Sequence, residues 1–305
     1  MAYNTTNANA ELLKVFSGEV LKAFDQKNIG LKNVKTRTIT NGRSAQFPVI
    51  GKANDTDVLA HTPGDDVTPN VIDFAEKVIT IDQRYYYSLF LDDFETKMIH
   101  FEYRGELAKQ MAEALSTKID KAIFNGILKA VDTTPVAGQE SGTVILNTDT
   151  ANSDAEVAGD AIVESIFEAS AAFNAKDVPE MGRVFITTPQ NYYKLVQSGK
   201  AVNRDFTGGN GGIDTGKVFT IAGVPIYWSN HIPTTYTADL DGDGTAEDHT
   251  VQGLFFTPDA YGVVKLMDIT SESNYIPEKL GYLLTSYYAL GMDVLNPGAA
   301  GVIVS

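Results

Sequence analysis

The acidic loop at Asp239, Asp241 and Asp243 has the residue types and spacing that could bind a metal ion. Carboxylates at the first, third and fifth positions and a glycine at the sixth, Gly244, match the first half of a calcium-binding loop, because Ca²⁺ prefers oxygen ligands. The twelfth position is Thr250 instead of the usual glutamate, and no flanking helices are predicted. The loop therefore predicts either a calcium site that stiffens a polar insertion or a solvated acidic turn, and we expect no other cofactor.

A glycine-rich segment from Gly211 to Lys217 has the spacing of a phosphate-binding loop. Such a loop needs Ser or Thr after the lysine to hold Mg²⁺, but the next residue is Val218. The residues that follow are predicted to form a strand, so no helix N-terminus would face a phosphate. We therefore expect residues 207–216 to form a flexible loop between subunits and not a nucleotide site.

Residues suited to covalent or acid–base catalysis are sparse. The chain has no Cys, and its four His residues have no metal-binding spacing. It also lacks the Gly-x-Ser-x-Gly pattern of a nucleophile elbow. The run Tyr85–Tyr87 could stack on nucleic-acid bases, but we expect no cationic neighbours there, which favours packing in a sheet. These observations argue against an enzyme.

Length and charge narrow the remaining classes of protein. The 305 residues suffice for one large or two medium domains, and the net charge of −15 argues against a dedicated nucleic-acid binder. Residues 1–52 carry eight basic and three acidic groups, a net charge of +5, whereas residues 53–82 carry seven acidic groups and one basic group. This asymmetry predicts that the basic N-terminus of one subunit meets the acidic segment of another. No secretory signal or membrane-length apolar run is evident, so we expect a soluble protein made in the cytoplasm.

Two predicted strands form an extended arm. They span Arg43 to Ile50 and Asp73 to Asp82, and the 22 residues between them (51–72) show no periodicity. A lone two-stranded hairpin is marginally stable in water, and its edges invite pairing with another chain. We therefore expect the arm to fold on a neighbouring subunit. The candidate interface residues are Phe47, Val49, Val78 and Ile81 in the arm, with Phe16 and Phe24 on a short N-terminal amphipathic helix from Glu11 to Phe24.

One very long helix is predicted to follow the arm, from Asp92 to Val131. Its apolar residues recur at three- and four-residue steps, and Asp92 or Asp93 could cap its start. An unbroken helix of this length would span about 60 Å. The alternative is two shorter helices with a break near Gly105.

The rest of the chain mixes helices and strands without a regular βαβ repeat, which predicts the α+β class. A polar connection is predicted at 132–159 and a polar insertion at 233–250. The predicted helices are 160–177 and 189–198, the predicted strands are 183–187, 217–221 and 224–229, and the strand-rich segments are 254–266 and 282–295.

Several blocks of this sequence resemble, in the same order, the major capsid protein of short-tailed, autographivirus-type phages. The blocks are Leu13–Leu21, Ser44–Val49, Glu76–Asp82, Gly262–Leu266, Tyr288–Met292 and Asn296–Gly301. They cover both ends of the chain, about half of it, and the middle at about 132–250 diverges.

The resemblance implies the Hong Kong 97-type capsid fold. It implies an N-arm at 1–42, an extended loop at 43–82, and a peripheral domain at 83–131 that contains the long spine helix. It further implies an axial domain at 132–262 and a C-terminal segment, 263–305, that returns to the peripheral domain and ends beside the axial one.

The function that this resemblance implies is structural. The chain would assemble into pentamers and hexamers of an icosahedral phage head around double-stranded DNA. The implied partners are copies of the chain, a scaffolding protein, a portal and packaged DNA bound non-specifically, with no membrane. The implied location is the phage head, assembled in the host bacterial cytoplasm. An α+β hydrolase and a calcium-dependent binding module are the alternatives.

Overall fold

The computed structural model describes residues 19–24, 28–50, 58, 60–61, 64, 66, 69, 72, 74–92, 104–136, 138–198, 211–212, 217–218, 220–240 and 245–305. The helices are α1 (19–24), α2 (Arg104–Asp132), α3 (Ala155–Ala175) and α4 (Pro189–Gln197). The strands are β1 (Lys35–Thr38), β2 (Ser44–Ile50), β3 (Phe74–Thr80), β4 (Arg84–Asp92), β5 (Thr143–Leu146), β6 (Val184–Thr187), β7 (Gly211–Gly212), β8 (Lys217–Val218), β9 (Thr220–Ile221), β10 (Val224–Trp228), β11 (Thr235–Ala238), β12 (Glu247–Phe256), β13 (Tyr261–Ile276), β14 (Gly281–Val294) and β15 (Ala300–Val304).

The first sheet joins strands that are distant in sequence, in the order β1-β13-β14-β4. β13 and β14 form a long antiparallel hairpin whose register shifts on either side of Met267, whereas β4 pairs with β14 without a break from Arg84 to Asp92. Alternate residues of β14, Leu284, Ser286 and Tyr288, are buried. Period-two burial of this kind means that one face of the sheet packs against the core and the other faces solvent.

The second sheet has seven strands, with the path β5-β15-β12-β6-β10-β9 and β11 paired to β12. The near-C-terminal strand β15 lies inside this sheet, parallel to β5 and antiparallel to β12. Phe173 of α3 packs edge-to-face on Phe255 of β12 with ring centroids 4.7 Å apart. The core is therefore continuous between α3 and the middle strands of the sheet.

The long helix α2 contacts strands of both sheets and joins their cores. Ala108, Met111, Leu115, Ile119 and Ile123 form a buried stripe at helical spacing. Gly126 lets the helix approach β13 closely, because a Cβ at this position would lie 2.2 Å from the Tyr261 ring. The position of the helix thus depends on the burial of its apolar stripe and on the lack of a Cβ atom at Gly126.

The predicted α+β class is confirmed, and so are the strands on either side of the Ala222-Gly223 turn. Both turn residues have positive φ, 52° and 75°, as a tight hairpin requires. The predicted start of the long helix at Asp92 is wrong, because Asp92 is the last residue of β4. Residues 93–103 lie outside the described residues, and the helix from Arg104 to Asp132 continues without a break through Gly105 and Gly126.

Several strands lie where the sequence predicted none. β5 falls in the expected polar connection, β7 in the expected flexible loop and β11 in the expected polar insertion. The predicted N-terminal helix is described only over residues 19–24, and its earlier part lies outside the described residues.

Candidate subunit interface

The arm is an antiparallel pair of β2 and β3, with Ser44 opposite Thr80 and Phe47 opposite Lys77. Its inner face forms a small core with Val264, Ala289 and Leu295 of the same chain. Phe47 and Ile81 belong to this core. They and Val49, on the same face of the arm, are each less than a tenth exposed. The expectation that these three side chains find their core on a neighbouring subunit is therefore corrected, because they are already buried in their own.

The outer face of the arm remains open. Val78 is 44% exposed and Phe74, four residues earlier on the same face of β3, is 76% exposed. Val78 therefore remains a candidate interface residue, and Phe74 is a second one on the same face. The sequence contained the signal for Phe74, since residues four apart in a strand share a face.

Polar contacts close the base of the arm and connect it to β1, which is itself tied to the rest of the subunit. Arg43 contacts Asp82 at 3.0 Å, and Arg37 donates to the carbonyl oxygen of Gln46 at 2.7 Å. Lys35 contacts Asp259 at 2.8 Å. The Arg43–Asp82 pair joins the basic segment to the acidic segment within one subunit, and pairing of these segments between subunits stays a prediction. Both ion pairs are exposed, so each contributes little to stability.

The chain before β1 is attached to α2 through Asp120. The Asp120 carboxylate accepts hydrogen bonds from the backbone N–H groups of Gly30, at 2.9 Å, and Ile29, at 3.3 Å. Burial raises the pKa of Asp120 to about 6, and the two backbone hydrogen bonds oppose this shift. Phe24 is buried in the main core of its own chain, so it too has little surface left for a neighbour. Phe16 lies outside the described residues.

Strand β4 forms one edge of the first sheet and exposes aromatic side chains. Tyr85 stacks on Tyr288 with ring centroids 5.5 Å apart, which fits the predicted sheet packing. The expected lack of cationic neighbours is wrong: Lys118 lies 6.0 Å from the Tyr85 centroid, and Arg84 lies 5.0 Å from the Tyr287 centroid. Tyr86 is 69% exposed. This edge is a second candidate interface.

Large apolar side chains are also exposed around the second sheet. Those at least half exposed are Phe167 on α3, Tyr193 on α4, Trp228 at the end of β10, and Met181 in the turn before β6. Exposed apolar surface of this extent is typical of protein–protein contacts.

A cavity of about 190 Å³ lies at one end of the second sheet, lined by Gln139, Lys176, Thr257 and neighbouring residues. Burial lowers the pKa of Lys176, a feature that could suggest a catalytic amine. However, its Nζ donates to the carbonyl oxygens of Ser141 and Gly142 and to Thr143 Oγ1, at 2.7 to 3.1 Å. These three bonds use all the donors of an ammonium group, so Lys176 ties the end of α3 to β5.

The predicted calcium loop is only partly described. Asp239 is exposed, and Asp241 and Asp243 lie outside the described residues. Within the described part of the chain, no group of three His, Asp or Glu side chains could hold a metal. The calcium site stays a prediction. In the same part of the chain, no helix is long and apolar enough to cross a membrane.

Comparison with known proteins shows what this architecture resembles. The family model of the Gp10A-like major capsid protein matches residues 46–304. The major capsid protein of Escherichia phage T7 is 29% identical, over 97% of this chain and 92% of that protein. The corresponding protein of Enterobacteria phage T3 is also 29% identical, over 97% of this chain and 91% of that protein.

Solved capsid structures share the fold. The capsid of cyanophage P-SCSP1u superposes with a TM-score of 0.73 at 33% identity, covering 90% of this chain and 87% of that one. The mature capsid of bacteriophage PhiM1 superposes with a TM-score of 0.70 at 17% identity, covering 91% and 86%. The predicted Hong Kong 97-type fold is therefore confirmed.

Proposed function

The chain belongs to the Gp10A-like family of major capsid proteins, and from this premise we propose that its copies assemble as hexamers and pentamers into an icosahedral phage head. The observation that carries the proposal is the family match over residues 46–304, which include most of the arm, α2, the second sheet and all strands of the first sheet except β1. Its relatives are structural proteins of capsids and not enzymes. This excludes the hydrolase alternative.

The arm and the exposed apolar side chains supply the contacts in this proposal. The inner face of the arm is held by its own subunit, which presents the outer face at Phe74 and Val78 to a neighbour. Each such contact is small. A closed shell repeats it at every subunit, so weak contacts add up to a stable lattice.

The proposed division into domains follows the two sheets. The N-arm is 1–42, the extended loop is 43–82, the peripheral domain comprises 83–131 and the returning segment 263–305, and the axial domain is 132–262. Two features support it: β4, β13 and β14 share the first sheet with α2 packed beside them, and β5, β6 and β10 share the second. The returning segment ends at β15 in the second sheet.

The proposed partners are a scaffolding protein, a portal and packaged DNA, and the proposed place of assembly is the host bacterial cytoplasm. The net charge of −15 per subunit supports an inner wall that repels DNA and does not grip it. An inner surface dense in Lys and Arg would contradict this part of the proposal.

Electron microscopy of the purified chain, with and without the scaffolding protein of its phage, tests the proposal. We expect closed shells built of five- and six-membered rings. A chain that remains monomeric at high concentration under both conditions would overturn it. Melting curves recorded in calcium and in a chelator test the loop at Asp239, and equal melting temperatures would reject calcium binding there.

A further inference from the structure

The two edges of the first sheet differ in how well they are protected against pairing with a strand of another chain. At one edge, β1 is four residues long and carries Lys35 and Arg37, and short, basic edge strands resist pairing. At the other edge, β4 is nine residues long, contains no Pro, Lys or Gly, and keeps an unbroken register with β14. Among the described residues, β4 has no strand partner on its outer side. Long, regular, aromatic edges are templates for pairing with another chain.

The sequence of β4 is self-complementary about Ser88. In an antiparallel pair of two copies centred there, Arg84 of one strand lies opposite Asp92 of the other, and this happens at both ends. Shifting the centre by one residue in either direction places Arg84 opposite Phe90 or Phe94, and both charge pairs are lost. A register centred between Ser88 and Leu89 instead places Arg84 opposite Asp93. Within the nine residues of β4, the register centred on Ser88 is the one that joins opposite charges at both ends.

We propose that β4 pairs antiparallel with β4 of a second copy of this chain, about a two-fold axis at Ser88, so that two first sheets join into one eight-stranded sheet. The inference rests on the proposed function for the presence of that second copy. The contact is isologous, so every pair occurs twice.

The side chains of the exposed face fit this pairing. Tyr86 is 69% exposed and Phe90 is 38% exposed, and both lie on the face of β4 opposite the buried residues of β14. The pairing places Tyr86 beside Phe90 of the partner subunit, and aromatic cross-strand pairs are among the stabilising ones in sheets. On the other face, Tyr87 comes beside Leu89 of the partner subunit. Apolar surface at this edge is thereby covered on both faces.

A single cysteine tests the geometry, because the chain has no Cys of its own. In Ser88→Cys, the two introduced thiols lie directly opposite each other, at a Cα separation of about 4.5–5.5 Å, within the range of a disulfide. We expect oxidation of assembled Ser88→Cys shells to convert most of the chain into a covalent dimer. The matched control is Thr285→Cys on β14, opposite Ser88 in the same sheet. Its two copies are three strand spacings apart, about 14 Å, and cannot cross-link.

The outcomes separate this inference from the proposed function. If Ser88→Cys subunits form shells but the chain shows no covalent dimer after oxidation, the β4 pairing is overturned and the capsid role is left intact. A dimer yield from Thr285→Cys equal to that from Ser88→Cys also overturns the β4 pairing, because the disulfide would then reflect random collision. Failure of every variant and of the wild type to assemble would instead overturn the proposed function, and the pairing with it.

Charge reversal gives an independent measurement. Arg84→Asp places like charges opposite at both ends of the paired strands, and we expect the critical subunit concentration for shell assembly to rise roughly tenfold. Asp92→Arg should act in the same way. The double variant Arg84→Asp/Asp92→Arg restores opposite charges, so its critical concentration should return to within about twofold of the wild type. A double variant as impaired as the single ones would overturn the pairing.

Discussion

Asp120 holds the chain before β1 against α2, and its burial makes the stability of the fold depend on pH. Its pKa is about 6 in the folded protein, against an ordinary value of 3.8. The folded state therefore binds the proton more tightly than the unfolded state does. The stabilisation is fully present below pH 3.8 and is lost as pH rises through 6. The shift corresponds to about 3 kcal/mol.

Asp120→Asn removes this titration and keeps an oxygen that accepts from Gly30. We expect the unfolding free energy of the wild type, relative to Asp120→Asn, to fall by up to about 3 kcal/mol between pH 4 and pH 7. Denaturant titrations at a series of pH values measure it, and the other titrating groups cancel between the two proteins. Asp120→Ala leaves the Gly30 N–H buried without an acceptor and should cost about 1–3 kcal/mol. If the unfolding free energies of the wild type and Asp120→Asn change in parallel with pH, the raised pKa of Asp120 is contradicted.

Gly126 allows α2 and β13 to approach closely. In Gly126→Ala, the new Cβ would lie 2.2 Å from buried Tyr261, so the ring must shift. We expect a loss of about 1–3 kcal/mol in the unfolding free energy, despite the better helix propensity of Ala. Gly105→Ala in the same helix is the control, because its Cβ meets only the Glu19 carboxylate at 3.4 Å. A Gly126→Ala protein as stable as Gly105→Ala would be inconsistent with this packing.

At the scale of elements, the two faces of the arm have different roles. Val78→Asp and Phe74→Asp alter only exposed side chains, so the unfolding free energy should change by less than about 0.5 kcal/mol. Shell yield, measured by sedimentation, should nevertheless fall about tenfold, because a charge would be buried in the contact.

Phe47→Ala on the inner face is the matched variant. It should lower the unfolding free energy by about 3 kcal/mol, because it empties part of a core within the subunit. If Val78→Asp shells form normally, the outer face of the arm is not a contact surface. If Phe47→Ala subunits are as stable as the wild type, the inner face is not a core.

The elements that the sequence predicted well are those with a strong period and clear boundaries. The alternation in 44–50 and the Ala222-Gly223 turn predicted their strands correctly, and the three-and-four spacing predicted α2 from Arg104 onward. For β4, the sequence favoured sheet packing but gave no strand bounds, because Tyr85, Tyr86 and Tyr87 are consecutive and hide the period of two. β5 was missed because four residues are too few to show a period within a polar segment.

The interface was predicted less well, for a physical reason. Apolar alternation says that Phe47, Val49 and Ile81 share a buried face, but it does not say whose core buries them. For Phe47 and Ile81, this core is formed with Val264, Ala289 and Leu295 of the same chain, more than 180 residues away from the arm. The exposed fraction within a folded subunit was needed to identify Tyr86, since an aromatic residue in a strand has the same sequence signature whether covered or open.

At the scale of the whole molecule, the net charge of −15 opposes assembly. Like-charged subunits repel one another over a Debye length, which shrinks from about 30 Å at 0.01 M salt to about 8 Å at 0.15 M. We therefore expect the critical concentration for shell assembly to fall as sodium chloride is raised over this range. Light scattering at equal osmolality, with sucrose replacing salt, controls for excluded volume. An increase in the critical concentration with salt would show that ion pairs between subunits outweigh the net repulsion.

The position of β15 also determines when the second sheet can close during synthesis of the chain. Residues 300–304 are inserted between β5 and β12, two strands made much earlier during translation. A nascent chain cannot close this sheet before those residues emerge from the ribosome. A product of synthesis interrupted before residue 300 would therefore lack the strand that joins β5 to β12, and its second sheet could not close.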